Sequence, residues 1–222
     1  MLQRLMLERR RQGALPAVKT SALKDVFAAP LPNPSTHFHD LRFVCFDFET
    51  TGLDASRDSI LSVGSVVIEN GQICVSSGQY DVIAFAGKMD EATLAIHGLT
   101  HDALAQGIAL DEAMERLFQQ LPGAVLVAHN TPIESGFLDA YCGARYGIAF
   151  YALWVCTLQL ERRRSSTHYK DLSLRLGQSR ARYNLPRYTA HHALIDALAG
   201  AELLLAQAAH RGGADCRLKD LM

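Results

Sequence analysis

The chain is 222 residues long, enough for one globular domain and cramped for two. Hydrophobic residues make up 49% and charged residues 20%, which excludes a disordered or fibrous chain, and five scattered cysteines without a CxxC pair speak against a disulfide framework or a zinc knuckle. The net charge of −1 hides a segregation: residues 162–187 carry eight cations against Asp171 alone, and residues 1–40 carry six cations against three acids, so the rest of the chain is acidic.

In chain order, the start MLQRLMLERRRQ reads as a short basic helix, with charges where a signal peptide needs an apolar stretch. No apolar run reaches the length of a membrane span, so a cytoplasmic protein with no membrane contact is expected. Pro30, Pro32 and Pro34 forbid regular structure and suggest a linker. The core opens at Arg42–Glu49, an apolar run with aromatic and β-branched residues that predicts a strand buried on both faces. Strand-like runs at Ser59–Ile68 and Gln72–Tyr80 flank Asn70-Gly71, a strong hairpin signal. Helical spacing covers Asp90–Ile96 and Asp111–Leu121, the latter with Met114, Leu117, Phe118 and Leu121 on one face. A strand at Ala124–Ala128, a helix at Pro132–Arg145 and a strand at Tyr151–Cys156 follow, and a helix from His192 to Ala209 ends at Gly212-Gly213. A strand meander that gives way to alternating helices and strands predicts an α/β fold, a ribonuclease H-like mixed sheet flanked by helices. The expected organisation is an N-terminal basic helix and Pro-rich linker over 1–38, a catalytic domain over 39–212 and a short tail over 213–222.

Three acids stand out because their surroundings are apolar. Asp47 and Glu49 are two apart in a strand otherwise built of Val, Cys and Phe, so alternation puts both carboxylates on one face. Burial and mutual repulsion penalise such a pair unless a cation neutralises it. Asp196 is embedded among Ala, Leu and Ile in the last helix, and an aspartate there completes an oxygen cage of the kind magnesium or manganese prefers. His191 lies just ahead of that helix, and a neutral imidazole suits general-base work near neutral pH.

From Leu41 to Ala209 the chain resembles the DEDDh exonucleases, the group that contains the proofreading epsilon subunit of bacterial DNA polymerase III. Phe46-Asp-Phe-Glu-Thr-Thr-Gly-Leu53 is similar to the family's first motif, Ile96-His-Gly-Leu-Thr-His101 to its substrate-loop element, and Val127-Ala-His-Asn-Thr-Pro-Ile-Glu-Ser-Gly-Phe-Leu138 to its second motif. The His191–Asp196 spacing corresponds to the third, in the histidine branch of the family rather than the tyrosine branch. One position departs: Glu134 stands where the family has an aspartate. Asp139 is no substitute, because five residues along a helix turn it well away from Glu134.

The resemblance implies metal-dependent removal of nucleotides from the 3′ end of single-stranded nucleic acid, DNA favoured, by two Mg2+ or Mn2+ ions about 3.5–4 Å apart. It implies that Asp47 bridges the ions, Glu49 and Asp196 hold the one that activates water, His191 takes the proton, and Glu134 serves the second ion. Thr51, Gly52 and Leu53 are expected to meet the terminal nucleotide, with Arg187 as a further substrate contact and His97 as a substrate contact or a local cap; Arg180 and Arg182, in the same basic segment as Arg187, are expected to grip substrate phosphates, and Tyr183 and Tyr188 to stack bases or pack locally. His129 and Asn130 are read as ties from strand end to helix, His192 as a structural neighbour of His191, and Trp154 as core. Twenty-six residues follow Asp196, fewer than the polymerase-binding tail of a replicative proofreader would need, so a repair-associated or free-standing relative is expected, with residues 1–38 as the contact for a polymerase or repair protein. An RNA-trimming exonuclease, a binding module weakened at Glu134 and an endonuclease of the same fold are the alternatives.

Overall fold

The computed structural model describes residues 2–18, 21–165 and 173–222. Lys170 and Asp171 of the basic segment lie outside them. The elements are α1 (Leu2–Ala14), α2 (Ser21–Ala28), β1 (Phe43–Thr50), β2 (Ile60–Glu69), β3 (Gln72–Val82), α3 (Glu91–His97), α4 (His101–Ala105), α5 (Leu110–Gln120), β4 (Val125–Ala128), α6 (Pro132–Tyr146), β5 (Trp154–Cys156), α7 (Thr157–Ser165), α8 (Leu176–Ala181), α9 (Ala193–Arg211) and α10 (Leu218–Leu221).

The five strands form one sheet in the order β3-β2-β1-β4-β5, antiparallel through β3, β2 and β1 and parallel through β1, β4 and β5. The hairpin sits where Asn-Gly predicts it, with positive φ at both Asn70 and Gly71, the conformation that a two-residue turn between twisted strands requires.

Alternation along β1 divides the core in two. Val44, Phe46 and Phe48 face a layer made by α2, α5 and α6, where Met114, Leu117, Phe118, Phe137 and Leu138 are buried. Phe43 and Cys45 face the opposite layer with Leu160 of α7 and Ala201, Leu204 and Ala208 of α9. Asp47 and Glu49 continue the Phe43–Cys45 row, so the same alternation that fills the core delivers both acids to the α9 side. α9 is the one helix among the described residues long and apolar enough to cross a membrane by length and composition, at 19 residues and mean hydropathy 1.2. It packs on β1 and β2, which accounts for its apolar character.

Both chain ends belong to this core. Leu23, Val26 and Phe27 of α2 are buried in the first layer, and Leu31 and Phe38 of the proline-rich segment in the second. The described residues among 1–38 therefore do not stand off as an appendage. Cys216, Leu218 and Leu221, in the stretch expected to be a tail, are buried beside Phe38, and backbone bonds from Phe38 to Cys216 and from Leu218 to Thr36 clasp the two ends together. All five cysteines are free thiols. The expected strand at Tyr151–Cys156 shortens to β5, and α2, α4, α7, α8 and α10 are helices that periodicity did not reveal, being short or charged.

Candidate active site

The acids gather at the carboxyl end of β1, where parallel strands of an α/β sheet open toward solvent. Asp47, Glu49 and Asp196 each place a carboxylate oxygen within 4.8 Å of the other two. Glu49, His97 and His191 form a second group with the same spacing, so the two groups share Glu49. His97 Nδ1 lies 2.5 Å from Glu49 Oε2, and the His97 and His191 rings meet edge to face at 6.2 Å. The histidine read as a substrate contact or local cap is thus tied to one of the acids.

Asp196 reaches the cluster from the first turn of α9. Its Oδ2 accepts the backbone N–H of His191 at 2.7 Å, and its own N–H donates to the His192 carbonyl at 2.9 Å. His191 adopts φ +66°, a left-handed backbone that places its ring beside His97. His192 turns away and stacks on Tyr80 at 4.2 Å, which separates the two adjacent histidines. The approach of α9 depends on Gly64, opposite Asp47 in the β1–β2 register. A Cβ there would stand 2.0 Å from Leu194 N and 2.1 Å from Ala193 C, so only glycine admits the helix backbone so close to the sheet. A lone glycine inside the apolar run Ile60–Ile68 was the available signal for this contact.

Glu134 enters from the first turn of α6, 3% exposed. It is close enough to Asp47 to raise that group, although it falls outside the three-acid group. Burial pushes Glu134 up to about 8 and Glu49 up to about 7, the latter helped by Asp196. Burial, with Glu134, Glu49 and Asp196 around it, holds Asp47 well above the ordinary carboxylate range. Burial raises Asp196 too, against the opposing hydrogen bond from His191. Glu49 Oε1 and Glu134 Oε2 are buried with no hydrogen-bond donor. Four acids raised together, with two acceptor oxygens unsatisfied, are what a hard divalent cation would neutralise, and an all-oxygen donor set fits magnesium or manganese.

The loop after β1 is held by hydrogen bonds of Thr51 and Asp58. Thr51 Oγ1 donates to Asp58 Oδ1 at 3.1 Å, and Asp58 Oδ2 accepts the Asp54 N–H at 2.8 Å. A Cβ on Gly52 would fall 2.4 Å from that carboxylate, so the glycine makes room for Asp58. Leu53 is 75% exposed beside it. Arg187 is exposed in the loop that leads to His191.

Other members of the basic segment are committed internally. Arg180 is buried, bonded to the carbonyls of Ala199 and Pro186 and to Glu202 Oε2 at 2.6 Å. Arg182 pairs with buried Glu161 at 2.9 Å, and the Tyr183 hydroxyl donates to the same carboxylate. The Tyr188 hydroxyl donates to Glu202. A phosphate grip by Arg180 and Arg182 is therefore replaced by structural ion pairs. His129 ties the end of β4 to Thr157 and to the Leu174 carbonyl, and the Asn130 carbonyl receives the first turn of α6. Trp154 packs on Phe46.

Residues 44–204 match the family model RNase_T, described as an exonuclease. The chain is 28% identical over 168 residues to the PolC-type DNA polymerase III of Thermotoga petrophila, covering 76% of this chain and 12% of that one. It is 38% identical over 105 residues to a DNA polymerase III subunit epsilon-like protein of Rhodobacter capsulatus, covering 46% of this chain and 15% of that one. The chain thus spans a small fraction of these relatives' own length. Exonuclease X, solved in complex with 5′-overhanging duplex DNA, superposes with a TM-score of 0.58 at 21% identity over 82% of this chain and 99% of that one. The nuclease domain of 3′hExo, a DEDDh family member bound to rAMP, superposes at 0.62 and 12% identity over 83% and 98%. The solved neighbours share the fold. The matched segment runs from β1 into α9 and contains every acid of the cluster, and on that match the chain belongs to the exonuclease family.

Proposed function

We propose that this protein is a divalent-metal-dependent 3′–5′ exonuclease that releases nucleoside 5′-monophosphates from the 3′ end of single-stranded nucleic acid. The observation that carries the reading is the convergence of Asp47, Glu49 and Asp196 within 4.8 Å, with His191 at their edge. In this reading Asp47, Glu49 and Asp196 would hold a metal ion, and Glu134, beside Asp47, would serve a second. Mg2+ or Mn2+ at these oxygens supplies Lewis-acid stabilisation of developing charge and makes water easier to deprotonate near neutral pH.

The chain's own residues do the rest. A ring nitrogen of His191 takes the proton from the attacking water and passes it to solvent, for which its exposed position is suited. His97 fixes the Glu49 carboxylate through Nδ1 and Oε2, and the buried Oε1, which has no hydrogen-bond partner, is the oxygen left to serve a metal ion. Thr51, Gly52 and Leu53 receive the terminal nucleotide, and Arg187 takes a phosphate. None of these contacts reads a base, so sequence preference should be weak. DNA is the favoured substrate because the curated relatives carry DNA polymerase names. Those names also favour a polymerase or repair complex in the cytoplasm as the setting. Because α1 and α2 are part of the core, such a partner would meet their outer faces, where Leu5 and Met6 are about half exposed, at 48% and 49%.

The deciding experiment is a time course on 3′-labelled and 5′-labelled single strands, DNA and RNA side by side, in Mg2+, Mn2+ or chelator. Immediate release of a labelled 3′ mononucleotide, with a 5′-labelled ladder that shortens only in metal, is the expected result. Folded protein that yields no metal-dependent product on any strand would instead favour a nucleic-acid-binding module. Cleavage of a circular strand would reveal an endonuclease.

A further inference from the structure

β3 contributes no carboxylate to the site, yet the site rests on it. Asp47 on β1 stands opposite Gly64 on β2, and Gly64 stands opposite Tyr80 on β3. Residues paired across strands share a face, so these three form one row on the side that α9 covers. Along the row the surface offers an acid, a gap and an aromatic ring. The backbone of Ala193 and Leu194 occupies the gap, and the His192 ring lies on Tyr80 with 4.2 Å between centroids and 26° between planes. Leu194 also lies over Gly78, two residues before Tyr80, with its Cδ1 3.7 Å from where a Cβ would be, an ordinary contact distance. His192, Ala193 and Leu194 are thereby seated on the sheet, and with Ile195 they join His191 to Asp196.

The turn they form is one the backbone would not adopt unaided. His191 sits at φ +66°, a region that residues with a side chain enter rarely and that persists only where the surroundings enforce it. The reward of that conformation is functional geometry: the His191 N–H holds Asp196 Oδ2, and the His191 ring faces His97. His192 caps α9 without any side-chain hydrogen bond, and its buried Nδ1 has no partner. What restrains the ring is contact with Tyr80.

We propose that Tyr80 is a positioning residue: its stack on His192 locks the turn that presents His191 and Asp196 to the cluster, so that Tyr80 acts through that turn. The inference rests on the exonuclease reading for its kinetic consequence, but the seat can be tested through metal binding alone. Tyr80→Leu removes the ring and keeps an apolar side chain; Tyr80→Phe and His192→Phe keep ring on ring. In Mn2+ on a 3′-labelled single strand, Tyr80→Leu should lose about 10- to 100-fold in kcat, the scale of a displacement near 1 Å, while KM stays within about threefold. Calorimetric Mn2+ affinity should fall with it, because Asp196 moves with the turn. Tyr80→Phe and His192→Phe should remain near wild type in both measurements.

The proposal is overturned by Tyr80→Leu with unchanged kcat and Mn2+ affinity. It is equally overturned if Tyr80→Phe is as impaired as Tyr80→Leu, which would assign the effect to the hydroxyl. Should Tyr80→Leu fail to fold, His192→Leu against His192→Phe makes the same comparison from the other ring. A wild-type protein that binds Mn2+ in a Tyr80-dependent way but degrades no strand would sink the exonuclease reading and leave the seat standing.

Discussion

Asp47 occupies a position that its own charge makes costly. Burial, Glu134, Glu49 and Asp196 all disfavour its ionised form, and Glu49 and Glu134 are pushed up to about 7 and about 8. A carboxyl raised in the folded state ionises in the unfolded chain first, so the fold loses stability as pH rises from the ordinary carboxylate range, about 4, toward the raised values. Removing one of the four charges should relieve that penalty. In chelator at pH 8, Asp47→Asn is expected to melt about 2–4 °C above wild type for each kcal/mol of repulsion removed. The gap should narrow through pH 4 and close by about pH 3, where these carboxyls are protonated in both states. With excess Mg2+ the order should reverse, because wild type gains a ligand that the variant binds poorly, and exonuclease activity should fall by at least about 100-fold. Melting curves with and without metal at two pH values check the three statements about stability and initial rates check the loss of activity; a variant less stable than wild type in chelator would refute the account of repulsion.

At the scale of elements, the site depends on how α9 is set against the sheet and against α7 and α8. Gly64→Ala would drive a methyl carbon into the backbone of Ala193 and Leu194, and backbone cannot swing aside as a long side chain can. The expected result is about 1–3 kcal/mol of overpacking strain and about 100-fold lower activity from a displaced Asp196, visible in denaturant melts and initial rates. On the other flank, Glu161 of α7 is fully buried and receives Arg182, Tyr183 and Gln207. Burial raises its pKa, but the three hydrogen bonds together outweigh burial and leave it below the ordinary value. A depressed carboxyl contributes stability that is complete above the unfolded pKa, about 4.3, and is lost as pH falls through the folded value. Arg182→Met should therefore cost about 3–5 kcal/mol at pH 7, the scale of a buried charge left unpaired, and the deficit should shrink below pH 4. Urea midpoints across that range would show it; a deficit independent of pH would mean that lost packing, not charge, is responsible.

For the molecule as a whole, what the sequence made legible was what alternation and composition encode locally. Asp47 and Glu49 stood out because acids in a Phe-Val-Cys strand contradict their surroundings, and Asp196 for the same reason on a helix. Charge alone could not say whether an arginine meets solvent or a buried acid twenty residues away, which is why Arg180 and Arg182 read as a phosphate grip and are instead bonded to Glu202 and Glu161. Nor could local pattern locate Tyr80, whose role depends on a partner from the far end of the chain. The ends were the least legible. Three prolines look like a linker whatever packs around them, and a four-residue helix is too short to show a period. Yet Phe27 is 1% exposed between Phe150 and Tyr151, Arg11 lies over its ring, and Arg4 and Arg11 bond the carbonyls of Leu31 and Ala29 that follow α2. Phe27→Ala should cost about 3–5 kcal/mol, as a large core truncation does. Deleting residues 1–30 should expose the α5–α6 layer and lower the melting temperature of the whole nuclease, with activity falling in proportion to the unfolded fraction. A detachable partner arm predicts the opposite, a truncated protein that melts and cuts like the full chain, and a single thermal scan of the two proteins separates these outcomes.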